Sequence, residues 1–157
     1  MNARWLAICT LGMLLVGDSP MGKAADADGK GIKGRWVADQ SITCGRKAGK
    51  NEETTLVIDG GTVAWTYTKK EGNTATQSTI TFTYKLDPTK KPAEIDLMPT
   101  SGTFEGKVFS SSYKLDDIDG NTLEICRNQP DLKRPTEFVS KEGTEHRLLI
   151  LKRVKPN

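Results

Sequence analysis

The chain has 157 residues, which is the usual size of a single domain. Hydrophobic residues make up 36% and charged residues 27%, a balance that favours a folded domain over a disordered one. The formal net charge is only +3, and the lysines and arginines are interleaved with acids rather than gathered into a basic stripe. Nucleic acid is therefore not an expected partner.

The N-terminus has the pattern of a secretory signal. Arg4 precedes an almost unbroken apolar run over residues 5–16, and small residues follow at Ala24 and Ala25. As a helix this run would be about 18 Å long, short for a hydrocarbon core of about 30 Å. Cleavage is therefore favoured over an uncleaved anchor.

These features divide the chain into three expected segments. Residues 1–25 are the predicted signal peptide, residues 26–33 a flexible leader, and residues 34–157 the folded domain. We expect the mature protein to be secreted or periplasmic, with no stable membrane insertion after cleavage.

After the leader, the apolar residues recur with a period of two rather than 3.6. In residues 62–68, for example, Val63, Trp65 and Tyr67 alternate with threonine and alanine. This pattern indicates antiparallel strands with one buried and one wet face. The predicted strands, in chain order, cover residues 35–38, 54–59, 62–68, 79–86, 94–98, 109–115, 122–126 and 147–154. A short helical turn could lie within residues 39–52 or near 130–136.

Turn residues separate these strands. Asp59-Gly60-Gly61 predicts a tight hairpin, and Asp119-Gly120-Asn121 a second one in which Gly120 and Asn121 take positive φ. The Asp87-Pro88 and Lys91-Pro92 pairs predict a wider connection. The acids at residues 116–119 do not fit a calcium loop, because the glycine falls at the wrong place and the closing glutamate is missing.

About eight strands in sequence suggest an all-β meander that closes into one up-and-down barrel, since closure removes exposed strand edges. An open β-sandwich would show the same periodicity. Gly34-Arg35-Trp36 at the start of the first strand and Arg153 in the last strand favour the barrel. They resemble the lipocalin arrangement, in which a Gly-x-Trp meets a terminal arginine at the closed end. The resemblance implies that Gly34, Trp36 and Arg153 close the barrel, with the guanidinium stacked on the indole.

A second resemblance covers nearly the whole mature chain. It is carried by Gly34-Arg35-Trp36, residues 84–92, Ile95-Asp96-Leu97, Tyr113-Lys114-Leu115, residues 120–123, Cys126, residues 134–138 and Leu151-Lys152-Arg153. These motifs are similar to the planctomycetal lipocalin-like domain family, small exported bacterial proteins. The resemblance implies a lipocalin-like fold with no established activity. Residues 39–53 and 68–79 depart from that pattern.

The inward rows of such a barrel would be apolar and aromatic. The candidate ligand-pocket residues are Trp65, Tyr67, Phe82, Tyr84, Phe109 and Tyr113. An eight-stranded barrel either holds one small ligand or is filled by its own side chains, and the large rings favour filling. The first hypothesis is a module that binds a small apolar or amphipathic ligand. The alternative is a structural or interaction protein of the cell envelope with a filled core and a threonine- and lysine-rich outer surface.

The remaining reactive residues form no catalytic set. Cys44 and Cys126 would pair if oxidised, or remain two separate thiols, and one distant histidine gives them no metal site, so neither metal nor cofactor is expected. His146 is expected to be a solvated strand-end residue rather than a catalytic base.

Three further charged residues are expected to be structural. Glu94 and Asp96 share one strand face and could act as paired carboxylates, but such pairs are common on wet sheet faces. If Asp96 pointed into the barrel instead, it would need a cationic partner, and Arg134 and Arg153 are the candidates. Arg134 could bind a ligand carboxylate, although a salt bridge to Glu137 or Asp131 is favoured. The chain is therefore predicted not to be an enzyme.

Overall fold

The computed structural model describes residues 31–155, so the predicted signal peptide and the first part of the leader lie outside the described residues. The described part of the chain contains nine strands and no helix. In chain order they are β1 Gly34–Thr43, β2 Arg46–Lys47, β3 Glu52–Asp59, β4 Thr62–Glu71, β5 Thr74–Asp87, β6 Ala93–Pro99, β7 Phe109–Leu115, β8 Thr122–Arg127 and β9 Arg147–Arg153.

Eight of these strands form a closed antiparallel barrel, and the two-residue strand β2 pairs with the end of β1. Each strand from β3 to β9 pairs with the next, and β9 returns to β1. Strand β1 pairs with β3 over residues 34–37 and with β9 over residues 36–43, and a bulge between Ala38 and Gln40 interrupts the register against β9. The predicted barrel is confirmed.

Alternate side chains of the eight barrel strands fill the interior. The buried core combines branched aliphatic residues with aromatic rings: Trp36, Leu56, Ile58, Val63, Trp65, Phe82, Ile95, Leu97, Phe109, Leu123, Ile125, Leu149 and Leu151. Each of them exposes 6% or less of its surface. Tight packing of this kind makes the barrel centre a core rather than a lumen.

Several strands are longer than the periodicity predicts. Strand β5 begins at Thr74 rather than at residue 79, and β1 continues to Thr43. The extra residues are mostly polar, so no apolar alternation marks them. The short helical turns considered for residues 39–52 and 130–136 are wrong: the first segment holds the end of β1 and β2, and the second is irregular.

The tight hairpin at Gly60 and Gly61 is confirmed, whereas the connection at Gly120 is wider than predicted and covers residues 116–121. Gly60 and Gly61 both take positive φ, 54° and 85°, between the paired residues Asp59 and Thr62. This is the two-residue hairpin that the sequence predicts. In the second turn only Gly120 has positive φ, at 62°. The positive φ predicted for Asn121 is wrong. Its N–H donates to Asp119 Oδ1 at 2.7 Å, which forms a local side-chain turn at negative φ.

The closed end is built around Trp36. Its ring is fully buried, and Arg153 Cζ lies 4.1 Å from the ring centroid, a close cation–π contact. The Arg153 guanidinium also donates to the carbonyls of Gly120, Lys33 and Gly31. Gly34 allows this approach, because a Cβ there would stand 2.9 Å from Arg153 Nη1.

The folded domain begins before Gly34. Ile32 is 4% exposed, and its carbonyl accepts the indole N–H of Trp36 at 2.9 Å. The predicted leader over residues 26–33 is therefore too long at its C-terminal end, since residues 31–33 belong to the closed end of the barrel.

An outer loop, residues 128–146, crosses the outside of the barrel between β8 and β9. Arg134 anchors it: Nη2 lies 2.6 Å from Asp96 and 3.5 Å from Glu94, and Nη1 donates to the carbonyl of Ser111. The predicted partners of Arg134, Glu137 and Asp131, are wrong. Both residues lie in the same loop as Arg134, but the loop places Arg134 against two carboxylates of β6. Asp131 pairs with Lys107 at 2.7 Å instead.

Candidate functional site

The barrel wall is incomplete on one side of its open end. Strand β5 pairs with β4 from Thr74 onwards, but its pairing with β6 begins only at Phe82. Within the described residues, the stretch 74–80 of β5 therefore has no paired strand on one side, whereas the carbonyl of Thr81 already accepts the N–H of Thr100 at 2.9 Å. Ile80 belongs to the inward row but is 45% exposed, because it stands beside this gap.

A cavity of about 80 Å³ lies behind the gap. It has an aromatic and aliphatic wall and a polar side, and its lining residues are Trp65, Tyr67, Ser78, Ile80, Phe82, Arg127 and Arg147. The wall is ordered by ring contacts: the centroids of Trp65 and Phe82 are 6.0 Å apart, and those of Phe82 and Phe109 are 6.1 Å apart. We call this cavity the mouth pocket.

Two arginines form the polar side of the mouth pocket. Arg127 ends β8, Arg147 begins β9, and the two residues are directly paired in the sheet. Arg127 Cζ lies 5.3 Å from the Trp65 ring centroid and 4.6 Å from that of Phe109, and Arg147 Cζ lies 5.2 Å from Trp65. Both guanidinium groups are thus held against ring faces.

Neither arginine is fully satisfied within the described part of the chain. The Nε of each is buried without a hydrogen-bond acceptor. Loss of hydration, with the nearby charge of Arg147 as a smaller cause, lowers the pKa of Arg127 to about 10. Burial also lowers the pKa of Arg147. A buried guanidinium with an unsatisfied donor is stabilised by a negative charge placed beside it.

Glu52 and Tyr67 border the arginine pair. Donation by the Gly49 N–H and then by the Tyr67 hydroxyl lowers the pKa of Glu52 below its usual range. Arg46 Nη1 lies 3.5 Å from the same carboxylate. Tyr67 and Glu52 partly offset the effect of burial on the pKa of Arg147, but Glu52 accepts from Gly49, Tyr67 and Arg46 and forms no ion pair with Arg147.

The structure brings three of the predicted pocket residues together and leaves three outside the pocket lining. Trp65, Tyr67 and Phe82 line the mouth pocket. Phe109 lies behind it and contacts Phe82 and Arg127. Tyr84 and Tyr113 pack with the barrel core and are not part of the lining.

Sequence reasoning missed the two arginines. The signal that could have found them is strand parity: Arg127 continues the inward row of Leu123 and Ile125, and Arg147 begins that of Leu149 and Leu151. A charged residue at the end of an inward row points into the barrel. Their side-by-side position depends on the β8–β9 register, which the sequence does not supply.

A second cavity, of about 290 Å³, lies where β1 departs from β3. Its lining is small or polar, and its polar residues include Asp39, Gln40, Lys47, Lys50, Glu52 and Thr54. Charges of both signs and the lack of an apolar wall make it a weaker candidate for an amphipathic ligand.

Cys44 and Cys126 are free thiols in the structure, the first exposed and the second buried. Cys44 N–H donates to the carbonyl of His146 at the start of β9, while Cys126 pairs with Leu148 from the other side of β9. Two strand spacings amount to about 9.6 Å, more than the Cα separation of up to about 7 Å that a disulfide bridges. A Cys44–Cys126 bond would therefore require the backbone to move.

His146 is half-buried and does not lie in the mouth pocket. Its Nδ1 is 3.2 Å from the carbonyl of Val139, so the ring helps to fasten the outer loop. Glu94 and Asp96 share Arg134 on the outer face of the barrel. Among residues 31–155, no group of three histidine, cysteine or carboxylate side chains is placed to hold a metal ion.

Comparisons with protein-family models, with curated proteins and with solved structures found no match to the chain. Over the described residues, no helix is both long and apolar enough to cross a bilayer.

Proposed function

We propose that this chain is an exported protein of the planctomycetal lipocalin-like family that binds a small amphipathic ligand at the open end of its barrel. The single observation that carries the proposal is the mouth pocket. An apolar wall of Trp65, Ile80 and Phe82 faces two incompletely satisfied arginines across a small opening. A few placed polar groups set against apolar walls are the usual composition of a small-molecule site.

The size of the pocket limits the ligand. A water molecule occupies about 30 Å³ in the liquid, so a cavity of about 80 Å³ accepts a polar group and a few carbon atoms. A longer apolar part would extend through the gap onto the exposed side chain of Ile80. The ligand is therefore held at the mouth of the barrel, and the filled core lies beneath it.

The filled core favours a second candidate, an envelope protein that acts through its outer surface. The mouth pocket is well below the roughly 300 Å³ at which ligand cavities of binding proteins begin. Threonines also line the outer face, where Thr66 Oγ1 and Thr79 Oγ1 are 2.9 Å apart. This candidate predicts no saturable small-molecule binding at the open end.

Calorimetric titration with hexanol and with hexanoate separates the two candidates. We expect saturable binding of at least one of them to the wild-type protein. An Ile80→Asp variant, which places a charge on the apolar wall, should weaken the binding of both compounds about tenfold or more.

The matched control is Val57→Asp, because Val57 is 42% exposed against 45% for Ile80 and does not line the mouth pocket. It should bind both compounds as the wild-type protein does. Absence of saturable binding by the wild-type protein, or equal loss in both variants, would rule out ligand binding at the mouth.

A further inference from the structure

Arg127 and Arg147 present an unusual charge arrangement. They are direct cross-strand partners, so two positive charges face each other in the sheet, a pairing that costs stability. Burial adds to that cost because it removes water from both groups. A protein without a use for these charges would be more stable with neutral residues at both positions.

The aromatic rings beside the two arginines limit the directions from which an anion can approach the guanidinium groups. Trp65 and Phe109 lie against the guanidinium groups at centroid distances of 4.6 to 5.3 Å. Stacked guanidinium groups keep their N–H groups directed outward in the plane. The two buried Nε atoms without acceptors show that this donor capacity is not used within the described residues.

The charge is also not balanced from within the described residues. None of their carboxylates lies within the 4.0 Å of an ion pair to either guanidinium. Glu52 is the carboxylate whose charge acts on the pKa of Arg147. It accepts hydrogen bonds from the Gly49 N–H at 3.0 Å and from Arg46. An anion that enters the mouth pocket would therefore meet two guanidinium groups that no carboxylate of the described residues pairs with.

We infer that Arg127 and Arg147 together hold the carboxylate group of the ligand, whose apolar part rests on Trp65, Ile80 and Phe82. This inference rests on the proposed function and adds the chemical class of the polar group. A guanidinium donates two parallel hydrogen bonds to a carboxylate, a geometry that a hydroxyl cannot match. The ligand class is thus a small carboxylic acid with an aliphatic or aromatic body.

A carboxylate is favoured over a phosphate ester by the size and walls of the pocket. The cost of removing an ion from water rises with the square of its charge, so a dianion loses far more hydration than a monoanion. The mouth pocket, of about 80 Å³ with one apolar wall, offers little to replace that hydration.

The wild-type protein tests the inference without any substitution. We would titrate it with hexanoate, hexanol, hexylamine and hexyl phosphate, which share one apolar chain. Hexanoate should bind at least tenfold more tightly than hexanol, and hexylamine should bind most weakly. Hexanol binding as tightly as hexanoate would overturn the inference and leave the proposed function standing. Tighter binding of hexyl phosphate than of hexanoate would overturn the choice of a carboxylate. Failure of all four compounds to bind would overturn the proposed function itself.

Variants then assign the effect to the two residues. Arg127→Gln and Arg147→Gln should each weaken hexanoate binding by about ten- to a hundredfold, the usual loss of a hydrogen bond to a charged group, and change hexanol binding by less than twofold. The control is Arg35→Gln, which removes the same charge from an exposed position at the closed end of the barrel. Equal losses for hexanoate and hexanol would mean that the arginines only support the fold, and would overturn the inference.

Discussion

At the scale of single residues, Arg127 is the position where stability and the inferred function conflict. Its pKa of about 10 shows that the folded protein disfavours the charged form, with burial as the main cause. Two ring contacts only partly offset that cost. Residues that destabilise the ligand-free protein are typical of binding sites.

We therefore predict that Arg127→Met stabilises the ligand-free protein. Methionine keeps the length and the ring contacts without the buried charge, so the free energy of unfolding should rise by about 1 kcal/mol. Urea unfolding measures this change, with Arg35→Met as an exposed control that should leave stability within about 0.5 kcal/mol of wild type. A loss of stability in Arg127→Met would mean that the ring contacts outweigh the buried charge.

A second residue-scale prediction concerns the two thiols. Burial raises the pKa of Cys126 to about 11 from 9.0, so its thiolate fraction at pH 8 is about a hundredfold lower than in an unperturbed thiol. Cys44 is exposed. Alkylation at pH 8, followed by peptide mass analysis, should label Cys44 in the native protein and Cys126 only after denaturation. A Cys44–Cys126 disulfide would leave both unlabelled unless a reductant is added.

At the scale of elements, the outer loop depends on one anchor. Arg134 joins the loop to Asp96 and Glu94 of β6 and to the carbonyl of Ser111 in β7. Pro135 adds to this attachment, since its carbonyl accepts the hydroxyl of Ser112 at 2.6 Å. The loop covers Cys126, whose Sγ lies 3.6 Å from the carbonyl of Val139.

We predict that Arg134→Ala destabilises the protein by about 2 kcal/mol, because it leaves two partly buried carboxylates without their cation. Hydrogen exchange should show faster exchange of the amides in residues 128–146. Lys107→Ala is the control, since it breaks the exposed ion pair with Asp131 at the end of the same loop and should cost less than about 1 kcal/mol. Equal effects of the two substitutions would contradict the role given to Arg134.

The elements also show what the sequence could and could not predict. Alternation located every barrel strand, and Asp59-Gly60-Gly61 located its hairpin, because both signals are local. The polar N-terminal part of β5 carries no apolar period and was missed. The partners of Arg134 were predicted only in part. The sequence offered Arg134 as a partner of Asp96 only for an inward-pointing carboxylate, and proximity in sequence favoured Glu137 and Asp131. The sheet instead brings Glu94 and Asp96 to the outer loop.

At the scale of the whole molecule, the two ends of the barrel differ. The closed end is sealed by Trp36 and Arg153, and the core above it is fully packed. The open end has a gap beside β5 and an arginine pair behind it. The sequence predicted the closed end because Gly34, Trp36 and Arg153 resemble a known arrangement. The arginine pair depends on the register of β8 against β9, which only the folded chain provides.

The central claim is that a ligand carboxylate binds between Arg127 and Arg147. Proton–nitrogen correlation spectra of the arginine Nε–H groups, recorded during a titration with hexanoate, test it most directly. We predict that the resonances of Arg127 and Arg147 shift together in a saturable way, while those of Arg35 and Arg153 stay in place. Shifts confined to other arginines, or no shift at Arg127 and Arg147 once hexanoate is bound, would contradict the account.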